Sequence, residues 1–312
     1  MPDPADSQRD ASAVGSSYAT ATQTPTGPIL VATDGTAAAE PAFRAAAAIS
    51  AKSSVDVQVI VVVEPLPVLV PQPSLIAAPL VASPALLDTV RDRAVTQMRQ
   101  SAPDGADWKV EVEYGRPSAE IAKKARDRNA QLVVMGLVHH GVVDRLLDGD
   151  TALEVVRQSR TPVLLASASL KALPTRAVFA VDFSAQSIQA ARVGLRILSD
   201  GSEVTLVHVA PMLTVFDGTG IWEEEYEQAA TKELEKFAEA LNAPSRIRVE
   251  QVMLRGSPAW ALLSLSDRTN ADLIVAGTRG AGLMQRLLLG SVATRLMRHS
   301  TRSLLIVPDL DE

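Results

Sequence analysis

Short runs of β-branched and aliphatic residues recur along the chain: ILVAT (29–33), VIVVV (59–63), VEVEY (110–114), LVVMG (132–136) and VLLA (163–166). These runs are read as lacking the polar alternation of half-exposed strands, and so as strands of a parallel sheet covered on both faces. Longer segments between them carry helical periodicity, beginning with the alanine-rich stretch that follows the first run. Strand–helix alternation of this kind predicts a doubly wound α/β fold with right-handed crossovers.

The pattern is written twice. GPILVATDGTAAAEPAFRAAAAIS (27–50) resembles RAVFAVDFSAQSIQAARVGLRILS (176–199), and VQVIVVVEP (57–65) answers EVTLVHVAP (203–211). YGRPSAEIAKKARDRNAQLVVMG (114–136) answers RGSPAWALLSLSDRTNADLIVAG (255–277), and PVLLAS (162–167) answers SLLIVP (303–308). Gly115 and Gly256, Pro117 and Pro258, Gly136 and Gly277, and Gly149 and Gly290 all stand 141 positions apart. The offset grows to 146 at Pro65 and Pro211 and to 148 at Asp34 and Asp182, so the first copy carries a longer loop in its Pro-rich segment. A period of this length means tandem domains rather than a solenoid. The expected layout is a disordered tail over 1–27, a first domain over 28–168, a linker over 169–175 and a second domain over 176–312.

Composition narrows the classes. The 312 residues are 47% hydrophobic and 21% charged, enough for two cores, and a net charge of -6 argues against non-specific nucleic-acid binding. The absence of cysteine removes disulfides, thiol catalysis and cysteine-bound metal. The tail has no apolar stretch of signal-peptide length. The apolar region around 59–81 is broken by Pro65, Pro67, Pro71, Pro73 and Pro79, which excludes a membrane helix there. A cytoplasmic protein is expected. The Pro-rich loop over 64–84 is expected to pack on the core, with a lid over the first site, a partner contact or a cover for the second domain as alternatives. Its counterpart in the second copy becomes a charged amphipathic helix from about Ile221, with Trp222 and Tyr226 one turn apart on its buried face.

In open α/β sheets ligands sit beyond the carboxyl ends of the strands, where Asp34, Asp182, Gly136 and Gly277 all fall. The stretch GTRGAGLMQRLLLGS (277–291) lies between a strand and a helix. Its pattern is G-x2-G-x9-G-S, which is neither a Walker loop nor a dinucleotide fingerprint. Gly277 and Gly280 let backbone approach an anion. Gly290 and Ser291 open a helix whose first N–H groups and dipole attract phosphate, with Ser291 a suitable N-cap residue. An ordinary strand–helix turn with glycines for packing is the alternative for these residues.

The whole repeat resembles the universal stress protein family, whose ATP-binding members carry G-x2-G-x9-G-[S/T] before the last helix. That resemblance implies two tandem doubly wound, five-stranded parallel-sheet domains, paired through their last strands within the chain, with a surface left for a homodimer. It implies ATP, with Mg2+, held in the second copy. Asp182 then lies near the nucleoside and the backbone at Val209 against adenine, while Gly277, Gly280, Gly290, Ser291 and the Val292 amide hold the phosphates. Arg279 and Arg286 are candidates to neutralise phosphate charge. Asp182 as a cap for the following helix is the competing reading.

The first copy departs from this pattern. Asp34, Val63, Gly136 and Gly149 mark a weak counterpart site, but His139 stands in place of Gly280 and Asp150 in place of Ser291. A carboxylate ~4 Å from a phosphate costs about 4 kcal/mol at an effective dielectric near 20, a weakening of roughly three orders of magnitude. One competent and one silent site are expected. His139 and His140 lack a third metal ligand, His208 is expected to be a satisfied core or edge histidine, and His299 sits at a helix end. With four histidines, no cysteine and no nucleophile elbow, a hydrolase triad has little support. Asp182 is the only obvious acid–base or metal-binding candidate beside the phosphates, so dedicated catalysis is not expected. The chain is expected to act as a sensor or regulator, with slow ATP hydrolysis or a nucleotide-free scaffold as alternatives.

Overall fold

A computed structural model describes residues 27–65, 83–105, 107–137, 151–210, 221–278 and 289–309, apart from the side chains of 221–223. The first copy runs β1 (Ile29–Thr33), α1 (Glu40–Ser53), β2 (Val57–Val63), α2 (Pro84–Ser101), β3 (Lys109–Tyr114), α3 (Pro117–Asp127), β4 (Leu132–Gly136), α4 (Thr151–Gln158) and β5 (Val163–Ala166). The second repeats it: β6 (Arg176–Val181), α5 (Ala185–Arg196), β7 (Glu203–Ala210), α6 (Ile221–Leu241), β8 (Arg248–Arg255), α7 (Pro258–Arg268), β9 (Leu273–Gly277), α8 (Ser291–His299) and β10 (Ser303–Val307). The fold is therefore two doubly wound five-stranded units, as the strand–helix alternation predicts.

All ten strands form one sheet in the order β3-β2-β1-β4-β5-β10-β9-β6-β7-β8. Each unit is parallel throughout. In each, the strand order reverses between the first and fourth strands, which leaves a crevice at their carboxyl ends. The apolar runs are buried because helices cover both faces. One face packs Phe43 of α1, Met98 of α2, Ile188 of α5 and Phe237 of α6. The other packs Ile121 of α3, Val156 of α4, Leu262 of α7 and Leu296 of α8. Each of these cores draws residues from both copies, so the two units share their interiors.

The seam is antiparallel. Leu304, Leu305 and Ile306 of β10 pair with Leu165, Leu164 and Val163 of β5, all essentially inaccessible to water. Ser303 Oγ accepts from the Ser167 N–H at 3.1 Å and meets Ser167 Oγ at 3.1 Å, which satisfies the polar groups buried at the end of the seam. The pairing through last strands thus occurs within the chain.

β3 does not fit the expectation of a strand covered on both faces. It is an edge strand, half exposed along most of its length, and its sequence KVEVEY alternates after all. Glu111 on it contacts Lys109, Lys124 and Arg128 at 2.7, 2.8 and 3.0 Å. Hydrogen bonds from Lys109 and then Lys124 lower the Glu111 pKa to about 2. Charge on an edge strand also discourages pairing with another sheet. Among the described residues no helix is long and apolar enough to cross a membrane. The tail, the Pro-rich stretch 66–82 and the side chain of Trp222 lie outside the described residues.

Candidate functional site

At the carboxyl end of β6 the chain turns on Asp182, Phe183 and Ser184. Asp182 Oδ1 accepts hydrogen bonds from the Ser184 N–H at 3.1 Å and the Ser184 hydroxyl at 2.5 Å. Ser184 in turn is the N-cap of α5 and accepts from the Ser187 N–H at 3.1 Å. The helix cap is therefore Ser184, and Asp182, directly after β6, braces the cap. Between them Phe183 adopts φ +64°, a left-handed conformation that costs a non-glycine residue roughly 1–2 kcal/mol.

The first copy makes the same turn with easier chemistry. Asp34 Oδ1 accepts from the Thr36 N–H at 2.8 Å and the Thr36 hydroxyl at 2.7 Å, and the left-handed position is Gly35 at φ +76°. In that copy α2 fastens the turn directly: Arg93 Nε donates to the Gly35 carbonyl at 3.0 Å, and the Gln97 amide donates to the Thr36 carbonyl.

The second copy fastens its turn through an aromatic stack. The His208 ring lies 4.3 Å from the Phe183 ring at 24°, Nδ1 is 2.8 Å from the Val181 carbonyl, and Nε2 is 3.0 Å from the Tyr226 hydroxyl of α6. The carbonyl can only accept, so Nδ1 carries the proton and Nε2 of a neutral ring accepts from Tyr226. His208 is a satisfied, buried histidine, as expected. Its neighbour Val209 is half-buried at the end of β7, in register with Leu254 of β8.

The glycine-rich loop leaves from β9 and returns at α8. Its two ends are tied together: the Gly290 N–H donates to the Thr278 carbonyl at 2.7 Å. Thr278 is itself held, its N–H by the Val307 carbonyl at 2.9 Å and its hydroxyl by the Gln186 amide at 2.8 Å. The chain re-enters helix beside the end of β9 with Gly290 as N-cap and Ser291 as the first helical residue. This corrects the expectation that Ser291 is the cap. Gly290 has no side chain to close the first turn, and the first-turn N–H groups have no intrahelical partner. Ser291 is exposed there, and Val292 is half-buried against the α7–α8 core.

The structure thus brings Asp182, Gly277, Gly290, Ser291 and Val292 to the carboxyl ends of the strands at the β6–β9 reversal, with Val209 at the neighbouring strand end. Arg279, Gly280 and Arg286 lie outside the described residues, as do His139, His140, Gly149 and Asp150. In the first copy Asp34 and Gly136 line a cleft of about 740 Å³. Gly136 has a packing reason of its own: a Cβ there would lie 2.0 Å from the Ala38 carbonyl oxygen. Val63 stands half-buried at the end of β2.

Sequence reasoning passed over Phe183, Thr278 and Gln186. A glycine in one copy facing a phenylalanine in the other, directly after the shared Asp, was the available signal for a left-handed residue.

Residues 26–167 and 175–308 each match the sequence profile of the universal stress protein family. The chain is 31% identical over 139 residues to a universal stress protein of Methanocaldococcus jannaschii, which spans 42% of this chain and 79% of that protein. It is 26% identical over 207 residues to one of Mycolicibacterium smegmatis, spanning 64% of this chain and 68% of the relative. In fold it is similar to a universal stress protein from Archaeoglobus fulgidus, with a TM-score of 0.63 over 93% of this chain and 99% of the other, at 20% identity.

Proposed function

The chain belongs to the universal stress protein family, and from that premise we propose that it is an ATP-binding regulator whose second copy holds the nucleotide. The observation that carries this reading is the tie between Gly290 and Thr278, which sets the uncapped first turn of α8 beside the β6–β9 reversal. Backbone N–H groups and the helix dipole there favour a phosphate chain with its Mg2+. The Ser291 hydroxyl is exposed and adds a donor. Asp182, braced by Ser184, is a carboxylate suited to ribose hydroxyls, and the end of β7 at Val209 offers backbone groups to a base. Regulation then requires that nucleotide bind two arrangements of the site with different affinity. Residues 277–291 are the segment that nucleotide would bias.

Equilibrium titration of the emptied chain with Mg-ATP and Mg-GTP tests this. Asp182→Asn keeps an acceptor for Ser184 but removes the charge, and a charge-assisted hydrogen bond is worth about 1.5–3 kcal/mol, so ATP affinity should fall about 10- to 100-fold. Equal affinity in the variant, or no preference for ATP over GTP, would contradict the assignment.

A further inference from the structure

The first copy contains a formed cleft that the nucleotide reading leaves unused. It opens at the carboxyl ends of β1 and β4, with a volume of about 740 Å³, within the range of small-molecule sites. Its apolar lining includes Met135 and Leu165, together with Met297 contributed by α8 of the second copy. Among the described residues its polar lining carries Asp34, Glu64 and Glu154 against the guanidinium of Arg116. Arg116 is itself bound to Glu154 at 2.9 Å, and the buried Ser118 hydroxyl donates to the same carboxylate at 2.8 Å, so Glu154 is fixed in place.

The second copy differs in charge at the matching positions, with Ser257 where the first copy has Arg116. Ala210 stands where the first copy has Glu64, at the 146-residue offset, and Arg295 where it has Glu154, at the 141-residue offset. The same frame has thus exchanged a neutral and a cationic residue for two carboxylates. Ionised carboxylates only accept hydrogen bonds, and they repel phosphate. The apolar lining, with the accepting, negative side chains of Asp34, Glu64 and Glu154, suits a small molecule that carries donors and no negative charge.

From this we infer that the first copy is a second ligand site of different selectivity, which takes an unphosphorylated, hydrogen-bond-donating small molecule of nucleoside size and rejects phosphorylated ones. It stands apart from the nucleotide reading of the second copy. Met297 makes the two sites neighbours, because α8 lines the first cleft two turns from the end at which Ser291 stands.

Methionine-methyl 13C NMR of the full chain tests the inference, with adenosine and Mg-ATP as probes that differ in the triphosphate and its Mg2+. Met135 lines the first cleft alone, whereas Met297 lies on the helix that both ligands would touch. Adenosine should shift Met135 saturably, with at least tenfold higher affinity than any Met135 response to ATP. Glu64→Gln with Glu154→Gln should reduce that discrimination. No Met135 response to adenosine, or an equal response to both probes, would overturn the inference. An ATP-silent Met297 signal would instead count against nucleotide at the head of α8, whatever Met135 does.

Discussion

Replacing Ser291 with Asp separates ligand binding from stability, because the two should move in opposite directions. Ser291 is exposed, is the first residue of α8 and follows a glycine N-cap. A carboxylate there meets the positive end of the helix dipole, so the folded state should gain about 0.3–1 kcal/mol. Phosphate at the same place meets like charge. At ~4 Å the repulsion is about 1 kcal/mol in bulk water and about 4 kcal/mol at an effective dielectric of 20. Bound nucleotide covers the site, which moves the effective value away from the aqueous limit. The expected loss of ATP affinity is on the order of 100-fold, with roughly 5-fold and 1000-fold as the limits. Calorimetric titration gives the affinity, and urea denaturation of the nucleotide-free protein gives the stability. Unchanged affinity at unchanged or raised stability would refute the placement of phosphate at the head of α8.

Other perturbations test the frame around the site. Gly136→Ala sets a Cβ 2.0 Å from the Ala38 carbonyl oxygen, where backbone must move, and should cost about 1–3 kcal/mol in a urea melt; a neutral substitution would show that the two segments are not in contact. Tyr226→Phe removes the donor to His208 Nε2 and should cost about 1 kcal/mol, with 15N shifts of the imidazole reporting a changed Nε2 environment; an unaltered His208 spectrum would contradict the contact. Hydrogen bonds from Lys109 and Lys124 hold the Glu111 pKa down at about 2, so its contribution is present above the ordinary carboxylate value and fades as pH falls from there toward 2. Glu111→Gln should therefore destabilise at pH 7, by about 1 kcal/mol after solvent screening, and progressively less toward pH 2. A pH-independent difference would contradict the ion-pair account.

The sequence made most of the fold legible because burial on both faces leaves an unmistakable apolar run, as in ILVAT and LVVMG, and because repetition locates equivalent turns. β3 was misread for the complementary reason. Glu111 and Glu113 are tolerated because β3 is an edge strand among the described residues, half exposed and lined by Lys109, Lys124 and Arg128, a property of sheet order rather than of local pattern. The G-x2-G-x9-G-S spacing located the head of α8, but not the hydrogen bond from Gly290 to Thr278, since that bond joins residues well apart in sequence. Phe183 shows the limit most plainly. Propensity places glycine at a left-handed turn, as Gly35 does, whereas the Phe183 stack on His208 brings β7 and, through Tyr226, α6 against the turn. Glu64 and Glu154 are unremarkable as sequence; topology alone places both on one cleft.

The central claim is one nucleotide per chain, held by the second copy. Its most direct test is to denature the purified protein and remove bound nucleotide, refold it, and count Mg-ATP equivalents at saturation while mapping the peptide labelled by a photoreactive ATP analogue. The account predicts about one equivalent, with label on peptides around Asp182, Val209 or Ser291. Two equivalents, or label on peptides around Asp34 and Gly136, would contradict it.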